Sequence, residues 1–514
     1  MFSRYNLRKA FLIKPILIAG TFLVLSIPSF SQYFFNQNCQ QAYHSILSLR
    51  FSEAKLRLQS EKQSNPTNLI PLYLENYIDF LTLFIGEDRS VYELLKSSKS
   101  KRISLLEKGN KDSPFYLFCL GEVHLQWAFA RLKFGDLTTA ALEIRKAHQL
   151  FSENEARFST FLPNKIGLGV VHVMAGMVPD NYRWIANLIG VDGSLERGLD
   201  EISQVVGYQG KDDIVGLYKP EAIFYLATIA ANLQKDKRSA LSIIQLIQSQ
   251  DGDLSLTASP LMIFGRASIL MKNGFNDEAL SVLQQKEGND QQYPFCYLDY
   301  LEGLCRMNRL DMSAASCFQR YLHNFRGLNY IKAAYQKLGW IALLQGDSVK
   351  YMENMLMVRQ MGSSIVDEDK QALKEAHSAV LPDMILLRSR LLFDGGYYDR
   401  ALKELLDNSV QSHLKSHKDL IEYSYRLGRI YHEQGNTRQA LENYRQTIQR
   451  GKNDPYYYAA ASAFQMGLIY ENNGMTGKAD SAYRLCLSIK TPEYKTSLGQ
   501  KAKAGLNRLK KTDP

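Results

Sequence analysis

The sequence predicts an all-α protein built as a solenoid of antiparallel helix hairpins. One pattern occurs twice, 39 residues apart, as Leu427-Gly428-x-x-Tyr431…Ala440-x-x-x-Tyr444 and Met466-Gly467-x-x-Tyr470…Ala479-x-x-x-Tyr483. The chain of 514 residues is too long for one ordinary compact core and has only 14 prolines, which favours helices. Since one helix hairpin cannot bury its apolar face alone, repeated hairpins are expected to stack in a row.

The repeated pattern matches the tetratricopeptide-repeat (TPR) signature L-G-x2-Y…A-x3-F. In such a unit, small residues on the first helix (helix A) and the second helix (helix B) let the two backbones approach closely. A small residue in helix A, followed about 12 positions later by one in helix B, is therefore diagnostic. The pairs upstream of the two clear copies are Ala42 and Ala54, Ala128 and Ala140, Thr228 and Ala240, Ala267 and Ala279, Gly303 and Ala314, and Ser389 and Ala401. Gly339 begins a degenerate unit in which Tyr351 replaces the alanine.

The N-terminal segment has the three parts of a secretory signal peptide. Arg4, Arg8 and Lys9 precede an apolar run over residues 16–27, and Ser29-Phe30-Ser31 places small residues at the cleavage motif. The pattern predicts cleavage before Gln32 and export, most simply to a bacterial periplasm or cell envelope. The alternative is an uncleaved membrane anchor over residues 10–28.

The rhythm of the repeats divides the chain into six predicted segments. These are a signal peptide or anchor (1–31), N-terminal TPR-like helices (32–157), a glycine-rich irregular helical segment (158–215), middle TPR-like repeats (216–374), C-terminal TPR repeats (375–495), and a basic capping helix with a tail (496–514).

The glycine-rich segment carries a family resemblance. Its motifs are Gly167-x-Gly169, Val178-Pro179, Ile189-Gly-Val-Asp-Gly193 and Arg197-Gly198-Leu199. They resemble the central segment of the tetratricopeptide-repeat-protein-39 family, which includes the mitochondrial outer-membrane inclusion-body clearance protein. Val191 stands where that family has an aromatic residue. The resemblance covers roughly 40 residues in a similar repeat context and implies a helical-repeat adaptor without an established catalytic site.

Motifs for catalysis, cofactors and metals are weak. The glycines lack the G-x-G-x-x-G and Walker spacings and are interpreted as points of close helix contact. His413 and His417 are too few for a metal site, and there is no C-x-x-C among the six cysteines. Burial explains Cys305 and Cys317 better than a disulfide, although a disulfide between them is possible after export. We therefore expect a non-catalytic protein without a cofactor or metal.

The net charge of +10 is modest for this length and no dense basic run is interleaved with aromatics, so nucleic-acid binding is not expected. The expected ligand is a protein or peptide. Membrane association through the N-terminus is possible, and the sequence does not fix the oligomeric state. A polymer- or glycan-binding subunit at the outer membrane is the alternative function.

The predicted binding site is the concave groove, formed by helix A residues that point away from helix B. These occupy positions three before, one after and four after the small residue of helix A. The candidate groove residues are Arg390, Phe393, Tyr425, Arg429, His432 and Phe464. Leu386, Leu468 and Glu471 complete the same positions, and Phe264, Tyr297, Tyr300 and Trp340 are further aromatic candidates upstream. Arginine with aromatic residues is typical of binding hot spots and would suit an extended peptide that carries a carboxylate.

Overall fold

The computed structural model describes residues 32–178, 183–233, 242–246, 259–286, 291–378, 380–407, 413–414, 416–491 and 495–512. The predicted signal peptide or anchor and Ala240 lie outside these ranges, so export remains a prediction. Within them, no strand forms beyond one isolated bridge between Gln32 and Asn68. None of the described helices has both the length and the apolar character that a membrane span requires.

The described residues form 24 helices, which confirms the all-α prediction. The first ten are α1 (Gln37–Leu47), α2 (Phe51–Ser64), α3 (Ile70–Gly86), α4 (Arg89–Leu106), α5 (Pro114–Lys133), α6 (Leu137–Arg157), α7 (Asn164–Gly176), α8 (Arg183–Ile189), α9 (Leu195–Val206) and α10 (Asp213–Leu233). The next seven are α11 (Pro260–Lys272), α12 (Asn276–Leu283), α13 (Tyr297–Asn308), α14 (Ala314–Asn324), α15 (Ile331–Leu344), α16 (Ser348–Gln360) and α17 (Asp367–Ala376). The last seven are α18 (Met384–Asp394), α19 (Tyr398–Leu406), α20 (His417–Glu433), α21 (Thr437–Gly451), α22 (Tyr458–Asn472), α23 (Thr476–Ser488) and α24 (Lys495–Thr512).

Hairpins form where the small-residue pairs predict them, so the fold is a TPR-type α-solenoid. The hairpins are α1–α2, α5–α6, α11–α12, α13–α14, α15–α16, α18–α19, α20–α21 and α22–α23. The small residues are fully buried at the crossings; examples are Ala42, Ala54, Ala128, Ala140, Ala267, Ala279, Ala401, Ala440 and Ala479. At Gly428 an added Cβ would lie 2.7 Å from the Tyr444 ring, and at Gly467 it would lie 2.4 Å from the Tyr483 ring. The aromatic ring of helix B therefore occupies the space that the glycine leaves free.

The turn inside a hairpin also repeats. Gly435 and Gly474 link helix A to helix B with φ values of 77° and 68°, a region that glycine adopts without steric cost. An Asn or Asp side chain then caps several of the helices B; Asn436, for example, accepts a hydrogen bond from the backbone N–H of Gln439.

The glycine-rich segment packs as a tight pair of helices, α7 and α9. An added Cβ on Gly169 would lie 2.6 Å from the carbonyl oxygen of Gly198, and one on Gly193 would lie 2.4 Å from the amide nitrogen of Gly176. These distances confirm that the glycines permit close backbone contact.

The N-terminal hairpins fold back onto the middle of the chain. The Ser259 hydroxyl donates to the Leu47 carbonyl at 2.5 Å, and the Tyr293 amide donates to the Leu49 carbonyl at 2.8 Å. The buried Glu87 carboxylate accepts from the side-chain amide of Asn329 at 2.8 Å. The solenoid is therefore curled, and its concave side is partly enclosed.

Helix α24 covers the last hairpin. Ala502 and Leu509 are buried in the core of that hairpin, and the Arg508 guanidinium donates two hydrogen bonds to Glu471, of 2.7 and 2.8 Å. An end unit needs such a cover because no further hairpin buries its outer face.

We expect Gly467→Val to lower the free energy of unfolding by about 1–3 kcal/mol, because its side chain would have to displace the buried Tyr483 ring. Urea denaturation followed by far-UV circular dichroism measures this change.

The control is Gly477→Ala in helix α23, where an added Cβ meets no atom within 4 Å. It is expected to be neutral or to stabilise the protein by up to about 1 kcal/mol. Equal destabilisation by both substitutions would contradict the packing role of Gly467.

Candidate functional site

The concave side holds a partly enclosed cavity of about 1520 Å³. Its lining comes from many helices between α1 and α20, with Tyr456, Tyr457 and Tyr458 beyond them. These helices are far apart along the chain. The cavity therefore results from the curl of the solenoid and not from any single hairpin.

One wall of the cavity is a continuous run of aromatic rings, here called the aromatic track. Its members are Phe80, Phe129, Tyr225, Phe224, Phe264, Tyr297 and Tyr330. Successive ring centroids are 6.2, 6.5, 5.9, 6.3, 6.1 and 4.7 Å apart. All except Phe80 are half-buried. The track therefore gives one face to the core and another to the cavity.

A cluster of charged residues lines the cavity beside Trp340. The Trp340 indole donates to a Glu375 carboxylate oxygen at 2.7 Å, which fixes its ring. The Lys337 ammonium lies 3.8 Å from the centroid of that ring, and the Arg390 guanidinium lies 4.9 Å from it. Both contacts are within the range of cation–π attraction. Burial and then the neighbouring Arg390 charge lower the pKa of Lys337 to about 7.

The same stacking recurs one unit further along. The Arg429 guanidinium lies 4.8 Å from the centroid of Phe393, donates to the Tyr425 hydroxyl at 3.2 Å, and is 3.8 Å from Glu433. The side chain of Arg429 is 16% exposed, whereas that of Arg390 is 42% exposed. An arginine of helix A thus stacks on an aromatic residue of the preceding helix A in two successive units.

Arg426 and Glu422 form a buried ion pair close to Arg390 and Arg429. The Arg426 Nε donates to Glu422 at 2.9 Å, and the Tyr458 hydroxyl donates to the same carboxylate at 2.5 Å. Burial alone would raise the pKa of Glu422, but Arg426 and Tyr458 outweigh it and hold that pKa below its ordinary value. The pair is therefore internally satisfied.

Three of the six predicted groove residues line the cavity: Arg390, Phe393 and Arg429. The other three point elsewhere. Tyr425 is buried against Tyr457 and Tyr458, and His432 faces the Tyr444 hydroxyl of its own hairpin at 3.3 Å.

Phe464 packs in the core of the last hairpin, 5.9 Å from the Tyr483 ring. Leu468 joins that core, and Glu471 bonds Arg508 of helix α24. The reason is that α24 covers the last hairpin where an open groove was expected. Of the upstream aromatic candidates, Phe264, Tyr297 and Trp340 line the cavity, while Tyr300 is a core residue with 2% exposure.

The sequence reasoning missed Lys337 and Arg426 as lining residues. Each lies two positions before the small residue of its helix A, at Gly339 and Gly428, and Leu387 holds this position before Ser389. All three residues line the cavity. A rule that included the position two residues before the small residue of helix A would have predicted them.

The described histidines and cysteines are candidate metal ligands and thiols. Among the described residues, no group of three or more His, Cys, Asp or Glu side chains is arranged to hold a metal. His417 lies 3.2 Å from Asp454 and is exposed. All six cysteines are described and unbridged, Cys305 and Cys317 among them, and burial raises the pKa of Cys305 to about 12.

Comparison with known proteins identifies the repeats. Two family models, each described as tetratricopeptide repeat, match residues 422–450 and 460–491. The chain therefore contains TPR repeats, which are typical of non-enzymatic protein-interaction scaffolds. A search of curated proteins finds no match. A solved structure titled "Crystal structure of APC/C hetero-tetramer Cut9-Hcn1" is similar at 12% identity, covering 92% of this chain and 97% of that chain, with a TM-score of 0.22.

We expect Arg429→Glu to lower the free energy of unfolding by about 2–4 kcal/mol, since it would bury a carboxylate beside Glu433 without a cation. Arg390→Glu should cost less than about 1 kcal/mol, because Arg390 is partly exposed and its contact with Asp394 is 3.7 Å long. Chemical denaturation of the two variants measures both values. Equal losses would show that Arg390 and Arg429 have the same structural role.

Proposed function

We propose that this protein is an exported, non-catalytic scaffold that binds an extended polypeptide segment in its cavity. The observation that carries the proposal is the partly enclosed concave cavity, in which the aromatic track and the charged cluster at Trp340 line one space. Extended peptides bind such grooves through apolar anchors and a few fixed polar contacts.

The side chains that line the cavity favour recognition of a ligand over covalent chemistry. The aromatic track supplies large apolar faces, which dominate binding energy when they are desolvated. Arg390 supplies a charged group that is fixed by Trp340 and still partly open to the cavity. The resemblance of the glycine-rich segment to the tetratricopeptide-repeat-protein-39 family supports the same role as an adaptor.

Polymer or glycan binding is the alternative, since the aromatic track would also offer flat faces to sugar rings. A bacterial envelope location is proposed from the N-terminal sequence alone. Mass spectrometry of the mature chain tests that location: a first residue of Gln32 supports a cleaved signal, and retention of residues 10–28 supports the membrane anchor.

A random-peptide display library, selected on the immobilised protein, tests the binding proposal. Enriched peptides are synthesised, and their affinity is measured by fluorescence anisotropy with the wild type and with Arg390→Glu. We expect the substitution to weaken binding at least about tenfold, because an arginine contact that becomes buried on ligand binding is a common hot spot.

Arg388→Glu is the matched control. Arg388 lies on the same helix with a similar exposure of 46%, but it bonds Glu404 of helix α19 at 2.9 and 3.0 Å. Its replacement should change affinity less than about threefold. Failure to enrich any peptide, or equal binding by both variants, would refute the proposal. Loss of peptide binding on addition of polysaccharide would favour the glycan alternative.

A further inference from the structure

We propose that Lys337 and Arg390 together form a seat for a carboxylate of the ligand, and that Lys337 takes up a proton when this carboxylate binds. The inference rests on the proposed function, because it names the chemical group that the cavity recognises.

The seat is defined by two cations that share one aromatic ring. The Lys337 ammonium and the Arg390 guanidinium approach Trp340 to 3.8 and 4.9 Å from the ring centroid, and both line the cavity. Trp340 cannot turn away without breaking its hydrogen bond to Glu375. Two like charges therefore contact one fixed ring.

The two carboxylates beside the seat, Glu375 and Asp394, differ in how firmly they are held. Glu375 accepts hydrogen bonds from Trp340, from Gln336 at 2.6 Å and from the Tyr351 hydroxyl at 3.1 Å. Asp394 stands 3.7 Å from the guanidinium of Arg390. Three donors thus hold Glu375, whereas Asp394 makes only a long contact with Arg390.

Lys337 itself has a neutral partner. Its ammonium donates to the side-chain oxygen of Gln336 at 2.8 Å, and within the described part of the chain it makes no ion pair. An anion between Lys337 and Arg390 would supply the missing countercharge. A planar guanidinium beside a point-like ammonium suits a carboxylate, which accepts from both through separate oxygens.

The titration of Lys337 follows from its surroundings. The charged groups that face it are Arg390 and Asp394 on α18, and Glu375 and Glu368 on α17. Burial and the Arg390 charge lower the pKa of Lys337 to about 7, although the three acids raise it. Lys337 in the empty seat is therefore largely neutral above that pH. A bound carboxylate favours the charged ammonium and raises the pKa again. Affinity should therefore be highest below about pH 7 and fall as the pH rises above it.

Chemical labelling tests the seat directly. Acetic anhydride acylates the neutral amine, and peptide mass spectrometry of the whole protein measures the labelling rate of Lys337 against pH, with the exposed Lys350 as internal reference. We expect a midpoint near about pH 7 for Lys337. Triglutamate at millimolar concentration should slow its labelling at neutral pH at least about tenfold, and triglutamine should not.

Three outcomes of that experiment would overturn the inference. The first is a Lys337 midpoint close to that of an ordinary lysine, about pH 10. The second is equal labelling with triglutamate and with triglutamine. Protection by inorganic phosphate but not by triglutamate would likewise reject a carboxylate in favour of a phosphate ligand.

Affinity measurements with the display-selected peptides are a second test of the role of Lys337. Wild-type affinity should fall about 10–100-fold between about pH 6 and pH 9, as the proton on Lys337 is lost. Lys337→Arg keeps a permanent charge and should hold the affinity nearly constant over this range. Lys337→Met should bind weakly throughout and show no such pH dependence. A wild-type pH profile that Lys337→Met leaves unchanged would contradict the role of Lys337.

The two proposals fail in different ways. The seat would be refuted, and the scaffold function kept, if the selected peptides required Arg390 but bound Lys337→Met with wild-type affinity. The same holds if replacing Glu by Gln in those peptides did not weaken their binding. Protection of Lys337 by triglutamate, without any enriched library peptide, would support the seat for a small acidic ligand and refute the binding of an extended polypeptide segment.

Discussion

The close crossing of helix A and helix B at a small residue is the contact on which this structure depends. At Gly428 and Gly467 the space that a Cβ would fill holds the ring of Tyr444 or Tyr483. The aromatic ring of helix B can reach the axis of helix A only because that residue has no side chain. A single contact thus fixes both the distance and the rotation of the two helices. Other hairpins cross at another glycine, at a buried alanine or at Ser389, so a small residue sets the approach of helix A and helix B in each described hairpin. Stacking of these similar hairpins curls the chain.

The cavity follows from that curl. Residues at a fixed offset from the small residue return to the same side of every helix A, so Arg390 stacks on Trp340 and Arg429 on Phe393 in successive units. The regularity stops where the array ends. Helix α24 must bury the outer face of the last hairpin, and Arg508 bonds Glu471 where an open groove would otherwise continue. Apart from Tyr458 at its start, the last hairpin therefore contributes to stability and not to the cavity.

Local pattern predicted the hairpins and their small-residue contacts well, because these depend on residues about 12 positions apart. It also placed Arg390, Phe393 and Arg429 on the concave side. The prediction was less accurate for His432, which turns toward Tyr444, since a helical position sets a direction but not a rotamer. The enclosure of the cavity was not predictable, because contacts such as Glu87 with Asn329 join residues 242 positions apart. No periodicity of the sequence records such a contact.

The two stacked arginines, Arg390 and Arg429, differ in how many of their interactions are made within the protein. Arg429 has Phe393 on its face, the Tyr425 hydroxyl on its edge and Glu433 nearby, so most of its interactions are made within the protein. Arg390 has the Trp340 ring, one long contact with Asp394 and a cationic neighbour in Lys337. Two adjacent cations repel each other in a partly desolvated site, and loss of a proton from lysine is the least costly relief because arginine does not lose one. Above about pH 7, an incoming anion restores the charge that lysine gives up when the cavity is empty. This makes Lys337, not either arginine, the residue whose state depends on occupancy.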